Sequence, residues 1–129
     1  MDAKESSEDY LEAILIISNE KKVVRNIDIA RHLEFSKPSV SIALKKLKEK
    51  GLIEIDGDNL VTLTKEGLEI AEKTYQKHLG ITRVLISLGV DKKTAEKDAC
   101  RIEHVISEET FNAISEHAQK MLTKVKKEG

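Results

Sequence analysis

The chain has 129 residues, 40% hydrophobic but only 3% aromatic, with one cysteine and a formal net charge of −1. That suits one compact domain, or a small domain with a helical extension, built around an aliphatic core. One cysteine excludes an internal disulfide, no apolar run reaches the roughly 18 residues that cross a membrane, and the acidic opening "MDAKESSEDY" lacks the basic-then-apolar order of a secretory leader, so a soluble cytoplasmic protein with no membrane partner is expected.

In chain order, Ser6 and Ser7 with Glu8 and Asp9 resemble a helix start, and Tyr10, Ile14 and Ile17, widened by Leu11 and Leu15, mark its apolar stripe. A shorter helix fits "NIDIARHL", opened by Asn26 or Asp28, with Ile27, Ala30 and Leu33 facing inward. After the turn "EFS", Pro38 suits the first turn of a third helix, where its fixed φ is helical and its missing N–H is not needed. That helix, "PSVSIALKKLKEKG", buries Val40, Ala43, Leu44 and Leu47, and Gly51 ends it. Two strands, "LIEI" and "LVTLT", are joined by the hairpin turn "DGDN", and a long helix begins near Thr64.

Helix, helix–turn–helix and hairpin, in that order, make a winged helix–turn–helix over residues 1–64. In that fold the third helix enters the major groove of double-stranded DNA and the hairpin lies along the backbone or minor groove. Ser36, Pro38, Ser39 and Ser41 at the helix start are small enough to reach phosphates or base edges, and Pro38 to meet a thymine methyl; Lys37, Lys45 and Lys46 add phosphate contacts. Charge agrees: residues 1–20 balance to −5, whereas residues 21–51 hold nine Lys/Arg against three acids, or +6. Charge by itself fits a solvated lysine-rich helix equally well, and a helix–turn–helix can also serve protein contacts alone.

Residues 65–129 read as all-helical. A helix from Lys65 to Leu88 places Ala71, Tyr75 and His78 on one stripe; "GVD" breaks it and Asp91 caps the next. "SEET" opens a last helix, from Glu108 to about Lys127, with Phe111, Ile114, Ala118 and Leu122 on one side. Exposed aliphatic side chains such as Ile81, Leu85 and Leu88 suit homodimerisation, which would set two reading helices about one DNA turn, roughly 34 Å, apart on a palindromic operator.

Within "DACRIEHVIS" the lone Cys100 is followed at i+3 and i+4 by Glu103 and His104, so thiolate, carboxylate and imidazole share one helix face. These are the commonest transition-metal ligands, but a single cysteine is also often an inert small hydrophobe and Glu–His pairs decorate many helices. Asp9 and Glu12 form another i, i+3 pair, which first-turn dipole stabilisation would equally explain. His78 on an apolar stripe fits a core or interface role as well as a ligand role.

Taken together, "SEDYLEAIL", "IARHLEFSKPSVSIALKKLKEKGLI" and "LGVDKKTAEKDACRIEHVISEE" resemble the first helix, helix–turn–helix and metal-binding helices of the diphtheria-toxin-repressor family of metal-dependent transcription regulators, over nearly the whole chain. The resemblance implies a mainly α protein with a two-stranded wing, and metal ligands at Asp9, Glu12, His78, Cys100, Glu103 and His104. The pattern is mixed. The iron-sensing branch has methionine at the place of Asp9 and cysteine at that of Cys100, while the manganese-sensing branch has acids at Asp9 and Glu12 and glutamate at Cys100. Thr82 and Glu96 replace the glutamate and histidine of the iron branch's ancillary site, which argues for His78 joining the main site, as in the manganese branch. The stop after "KVKKEG" matches the family's short form, lacking its C-terminal barrel. Thiolate favours softer ions and carboxylates suit Mn²⁺, which ranks Fe²⁺ and Mn²⁺ together, ahead of Zn²⁺.

The resemblance thus implies a metal-activated repressor of metal-uptake genes, with the ligands drawn from both ends of the sequence so that occupancy governs DNA reading. A rival is a winged-helix regulator answering to thiol oxidation at Cys100 or to a small organic ligand, without metal. An enzyme is not expected: there is no H-E-x-x-H pair and no nucleophile beside a base, and a saturated ligand set leaves little coordination for chemistry. His32 and His117 take no role.

Overall fold

The architecture comes from a computed structural model, which describes the backbone of residues 3–128 and the side chains of residues 7–120. The element order is α1 (Ala3–Glu20), α2 (Asn26–Leu33), α3 (Lys37–Glu49), β1 (Ile53–Ile55), β2 (Val61–Leu63), α4 (Lys65–Ser87), α5 (Lys92–Val105) and α6 (Glu108–Glu128). Two compact units form, residues 1–73 and residues 74–129. Among the described residues no helix is long and apolar enough to cross a membrane.

In the first unit the aliphatic stripes meet. Leu11, Ile14 and Ile17 of α1 pack with Val24, with Ile29 and Ala30 of α2, with Val40, Leu44 and Leu47 of α3, and with Ile53 and Val61 of the hairpin. The i, i+4, i+7 spacing on α3 puts its three core residues on one side. Two expectations shift. Helix α1 already runs from Ala3, so Ser6 and Ser7 lie inside it rather than at its start; the Ser6 side chain lies outside the described residues. On α2 the fully buried position is Ile29, at 0% exposed, while Ile27 is only half-buried, because with Ala30 and Leu33 inward the core-facing arc of this short helix passes through position 29.

The turn between α2 and α3 closes without glycine: Glu34 takes a left-handed φ of 59°, and Phe35 N–H donates to the Ala30 carbonyl at 3.0 Å. Ser36 caps α3, its hydroxyl accepting from Ser39 N–H at 3.3 Å, and Pro38 sits in the first turn as expected. Gly51, at φ 74°, ends α3 in the left-handed conformation that glycine adopts without strain. The wing pairs antiparallel in the register Ile53↔Leu63, Glu54↔Thr62, Ile55↔Val61. Its turn is organised by Asp56, whose Oδ1 accepts from the N–H groups of Asp58 at 2.9 Å and Leu60 at 3.0 Å. Val61 N–H donates to the Val24 carbonyl at 2.8 Å and Arg25 Nη1 to the Asp58 carbonyl at 3.2 Å, which tether the wing to the entry of α2. Thr64 joins wing to α4: its hydroxyl donates to the Gly51 carbonyl at 2.7 Å and accepts from Gly67 N–H at 3.2 Å. Gly67 is required there, because a Cβ would run into the Leu52 carbonyl.

In the second unit Asp91 caps α5 by accepting from Lys93 N–H at 3.1 Å, and Ser107 caps α6 by accepting from Thr110 N–H at 3.1 Å. Gly80 of α4 stands against the Phe111 ring of α6, where an added Cβ would come to 3.1 Å from the ring edge. Leu88 is 74% exposed as expected, but Ile81 is buried at 3%, because it follows His78 by three residues and shares the inward face of α4. Leu122 lies outside the residues whose side chains are described.

Asp28 gives a stability test. Its carboxylate accepts from Lys21 Nζ at 2.9 Å and from Arg25 N–H at 3.0 Å, and the Lys21 hydrogen bond, followed by that from Arg25, holds its pKa below the usual carboxylate range. A lowered pKa means that the stabilisation is present at neutral pH and is lost as pH falls through the folded-state value. Asp28→Ala is expected to lower unfolding free energy by about 1 kcal/mol at pH 7, in urea denaturation followed by circular dichroism, and the gap from wild type should narrow as pH falls from about 5 towards 3.

Candidate metal centre and DNA-reading face

Helix α5 builds the centre from its own spacing. Ala95, Ala99 and Glu103 recur every fourth residue and are its buried stripe, at 0%, 0% and 1% exposed. A carboxylate therefore occupies the third position of a line that packing alone would fill with an apolar side chain. Cys100 and His104 lie beside it, and the ligand atoms of Cys100, Glu103 and His104 all fall within 4.8 Å of one another. The His104 side chain is 1% exposed and its Nε2 stands 3.4 Å from Glu103 Oε1.

From α4, His78 Nδ1 meets Glu103 Oε2 at 3.0 Å, with the ring side chain 22% exposed. A carboxylate oxygen only accepts, so in a neutral ring this contact puts the proton on Nδ1 and the lone pair on Nε2. Glu103 Oε1 is buried and, among the described residues, accepts no hydrogen bond. An ionised carboxylate with one oxygen in that condition is costly to bury, on the order of several kcal/mol even after relaxation. A cation offsets that cost directly. The donor chemistry also fits one: the thiol of Cys100, the carboxylate of Glu103 and the imidazole of His104 lie close enough to share an ion, and Glu103 lies within the same range of the His78 imidazole. Of the two positions that depart from the ancillary-site pattern, Glu96 is exposed on α5 and Thr82 is buried on α4.

In the first unit, Asp9 and Glu12 occupy α1 at i, i+3. Because α1 runs from Ala3, Asp9 is its seventh residue and Glu12 its tenth, beyond the first turn where a helix dipole holds acids. Glu12 is 8% exposed, next to the buried Leu11 and Ala13. The dipole explanation therefore fails for these two acids.

The outer side of α3 carries Lys37, Pro38, Ser39, Ser41, Lys45 and Lys46, all exposed, together with the preceding Ser36. Their hydroxyls are partly committed to the protein itself. Ser36 Oγ and Ser39 Oγ are 2.9 Å apart, and Asn26 Nδ2 donates to Ser41 Oγ at 2.8 Å. Sequence reasoning missed Asn26 as the residue that holds Ser41, and it also missed Ile42, 61% exposed on the same side of the helix. Its signal was available: position 42 lies off the 40–44–47 core arc, so an isoleucine there has no core to enter.

The pattern of the iron dependent repressor N-terminal DNA binding domain matches residues 2–61, and that of the iron dependent repressor metal binding and dimerisation domain matches residues 64–126. An HTH-type transcriptional regulator of Methanocaldococcus jannaschii is 34% identical over 123 residues, which cover 94% of this chain and 98% of that protein. The transcriptional regulator MntR of Escherichia coli is 37% identical over 117 residues, 91% of this chain and 76% of that protein. The diphtheria toxin repressor of Corynebacterium glutamicum is 32% identical over 116 residues, and there the match spans about half of the relative, 51%. Among solved structures, the IdeR of T. acidophilum superposes with a TM-score of 0.77 at 26% identity, covering 85% of this chain and 52% of that one. A manganese-dependent transcriptional repressor in complex with manganese superposes with a TM-score of 0.80 at 25% identity, covering 88% and 52%. With both halves matched in order, the chain belongs to the iron-dependent repressor family of metal-dependent, DNA-binding transcriptional repressors.

Proposed function

We propose that this chain is a cytoplasmic, metal-activated repressor of metal-uptake genes, a regulator and not an enzyme, which binds a palindromic operator as a homodimer and responds to Fe²⁺ or Mn²⁺ ahead of Zn²⁺. The observation that carries the reading is the buried Glu103 carboxylate, with one oxygen on His78 and the other lacking a hydrogen bond among the described residues. The proposed ligands are Asp9 and Glu12 of α1, His78 of α4, and Cys100, Glu103 and His104 of α5. A bound divalent cation would supply the positive charge that lets these acids and the thiolate stay ionised together. Without an ion, Glu103 holds His78 by accepting a hydrogen bond from its Nδ1; a cation shared by the two would stand in place of that proton. The α3 lysines neutralise backbone phosphates, and Ser36, Ser39 and Ser41, with Pro38, meet phosphates and base edges.

The DNA-competent arrangement is favoured only by as much as its ligands hold the cation more tightly than those of other arrangements. By reciprocity, operator DNA tightens metal binding by the same factor. Cys100 mixes a soft donor into an otherwise hard set, so ion choice rests on availability and geometry more than on affinity order.

Equilibrium dialysis with elemental analysis, run beside operator titrations with Mn²⁺, Fe²⁺ and Zn²⁺, tests this. Glu103→Gln and Cys100→Ala are each expected to weaken metal retention at least tenfold and to abolish or right-shift the metal response, while circular dichroism shows the fold retained. DNA binding of equal strength with and without metal in all three proteins would overturn the switch and favour a thiol or organic-ligand regulator.

The DNA face has its own signature. Affinity should fall steeply with salt, and Lys45→Ala and Lys46→Ala should each reduce the slope of log K against log salt by about 1 without changing sequence preference.

A further inference from the structure

Along the outer side of α3, the side chains that can leave the protein are short, or charged, or already engaged, with one exception. Ser41 is held by Asn26 Nδ2 at 2.8 Å, and the Ser36 and Ser39 hydroxyls face each other at 2.9 Å at the helix cap. Lys45 and Lys46 are exposed and reach for charge. Ile42 differs: it is a large aliphatic side chain, 61% exposed, in the middle of the helix. Pro38 lies one turn before it at i−4, and Lys45 and Lys46 one turn after it at i+3 and i+4, so a small apolar patch is followed by two cations.

An exposed isoleucine inside a cationic rim needs a partner that is anionic at its edges and apolar at one spot. The major groove has one apolar feature, the C5-methyl of thymine, set between rows of phosphates. The cost of leaving Ile42 in water is removed when that methyl covers it, while Lys45 and Lys46 take the flanking phosphates. We infer that Ile42 is a specificity-determining residue, which reads a thymine methyl in each half-site of the operator. This rests on the DNA-reading role of α3 described above, and adds to it a base and a contact that the hydroxyls do not supply.

The test selects duplexes from a randomised library with the full-length chain in the presence of Mn²⁺, for wild type, Ile42→Ala and Ile42→Gln. Position 42 is on the surface, so all three should fold alike. Wild type is expected to enrich thymine at one fixed position in each half-site. Replacing that thymine by deoxyuridine, which lacks only the methyl, should weaken wild-type binding about fourfold per half-site, the effect of one methyl's burial. Ile42→Ala should bind the selected site about tenfold less tightly and lose the distinction between thymine and deoxyuridine. Ile42→Gln should shift the preference at that position towards adenine, whose N6 and N7 glutamine can pair. An unchanged motif and affinity in Ile42→Ala, with the deoxyuridine effect intact, would overturn the inference while leaving the repressor reading standing. Failure of wild type to enrich any sequence, with or without metal, would instead overturn the DNA-reading role itself and this inference with it.

Discussion

The burial of a single carboxylate governs the second half of this protein. Glu103 is 1% exposed and continues a stripe begun by Ala95 and Ala99. Had packing been the only demand on α5, an alanine or leucine would serve better, since an ionised group taken out of water needs compensation that the protein only half provides. His78 satisfies one oxygen at 3.0 Å. The other oxygen faces His104 Nε2 at 3.4 Å without a hydrogen bond. Local rules broken in this way mark functional positions, where something other than stability sets the residue.

The first half follows the opposite logic. Its core is uniformly aliphatic, from Leu11 and Ile14 to Leu47 and Ile53, and its polar groups are spent on local geometry. Asp56 folds the wing tip, Thr64 ties wing to helix, Arg25 and Val24 tether the hairpin, and Asn26 fixes Ser41. Such a unit presents α3 rigidly, so the outward chemistry of that helix is set by which few side chains are left over. On the proposed reading, a helix held by its neighbours discriminates by shape and contact more than by rearrangement, so the exposed Ile42 would carry more information than three serines whose hydroxyls are engaged.

Much of this was legible in the sequence because it depends on short-range periodicity. The 40–44–47 spacing, Pro38 at a helix start, the "DGDN" turn and the Asp91 cap each follow from backbone geometry within a few residues, and each element stands where those signals put it. The candidate site was legible as far as one helix goes: i, i+3, i+4 places Cys100, Glu103 and His104 together without any tertiary knowledge. What periodicity alone could not deliver were pairings across helices. His78 lies 25 residues from Glu103, and their contact depends on how α4 and α5 meet. The same limit explains the misplacement of Ile81, which is apolar on either reading and whose burial at 3% is a tertiary fact. Misjudging the start of α1 had a different cause: "SSED" is a strong local cap signal, overridden by helical residues before it. That override matters, because it moves Asp9 and Glu12 out of the first turn and removes their simplest structural explanation.

An acid buried for a ligand ties stability to occupancy. Any cation that binds the folded form and not the unfolded chain adds RT ln(1 + [L]/Kd) to its stability, about 2.7 kcal/mol at a hundredfold excess over Kd. On the proposed reading, that increment would fall where Glu103 lies beside a thiol and two imidazoles. The ligand-free second unit, on the same proposal, carries the cost of Glu103, a cost that the aliphatic core of the first unit does not have. A sensor needs that asymmetry. A centre already satisfied by hydrogen bonds would have to give them up to a cation, which leaves less net stabilisation to separate one conformation from another. On the proposed reading, the Glu103 oxygen that accepts no hydrogen bond among the described residues is the source of the response and not a defect in the packing of α5.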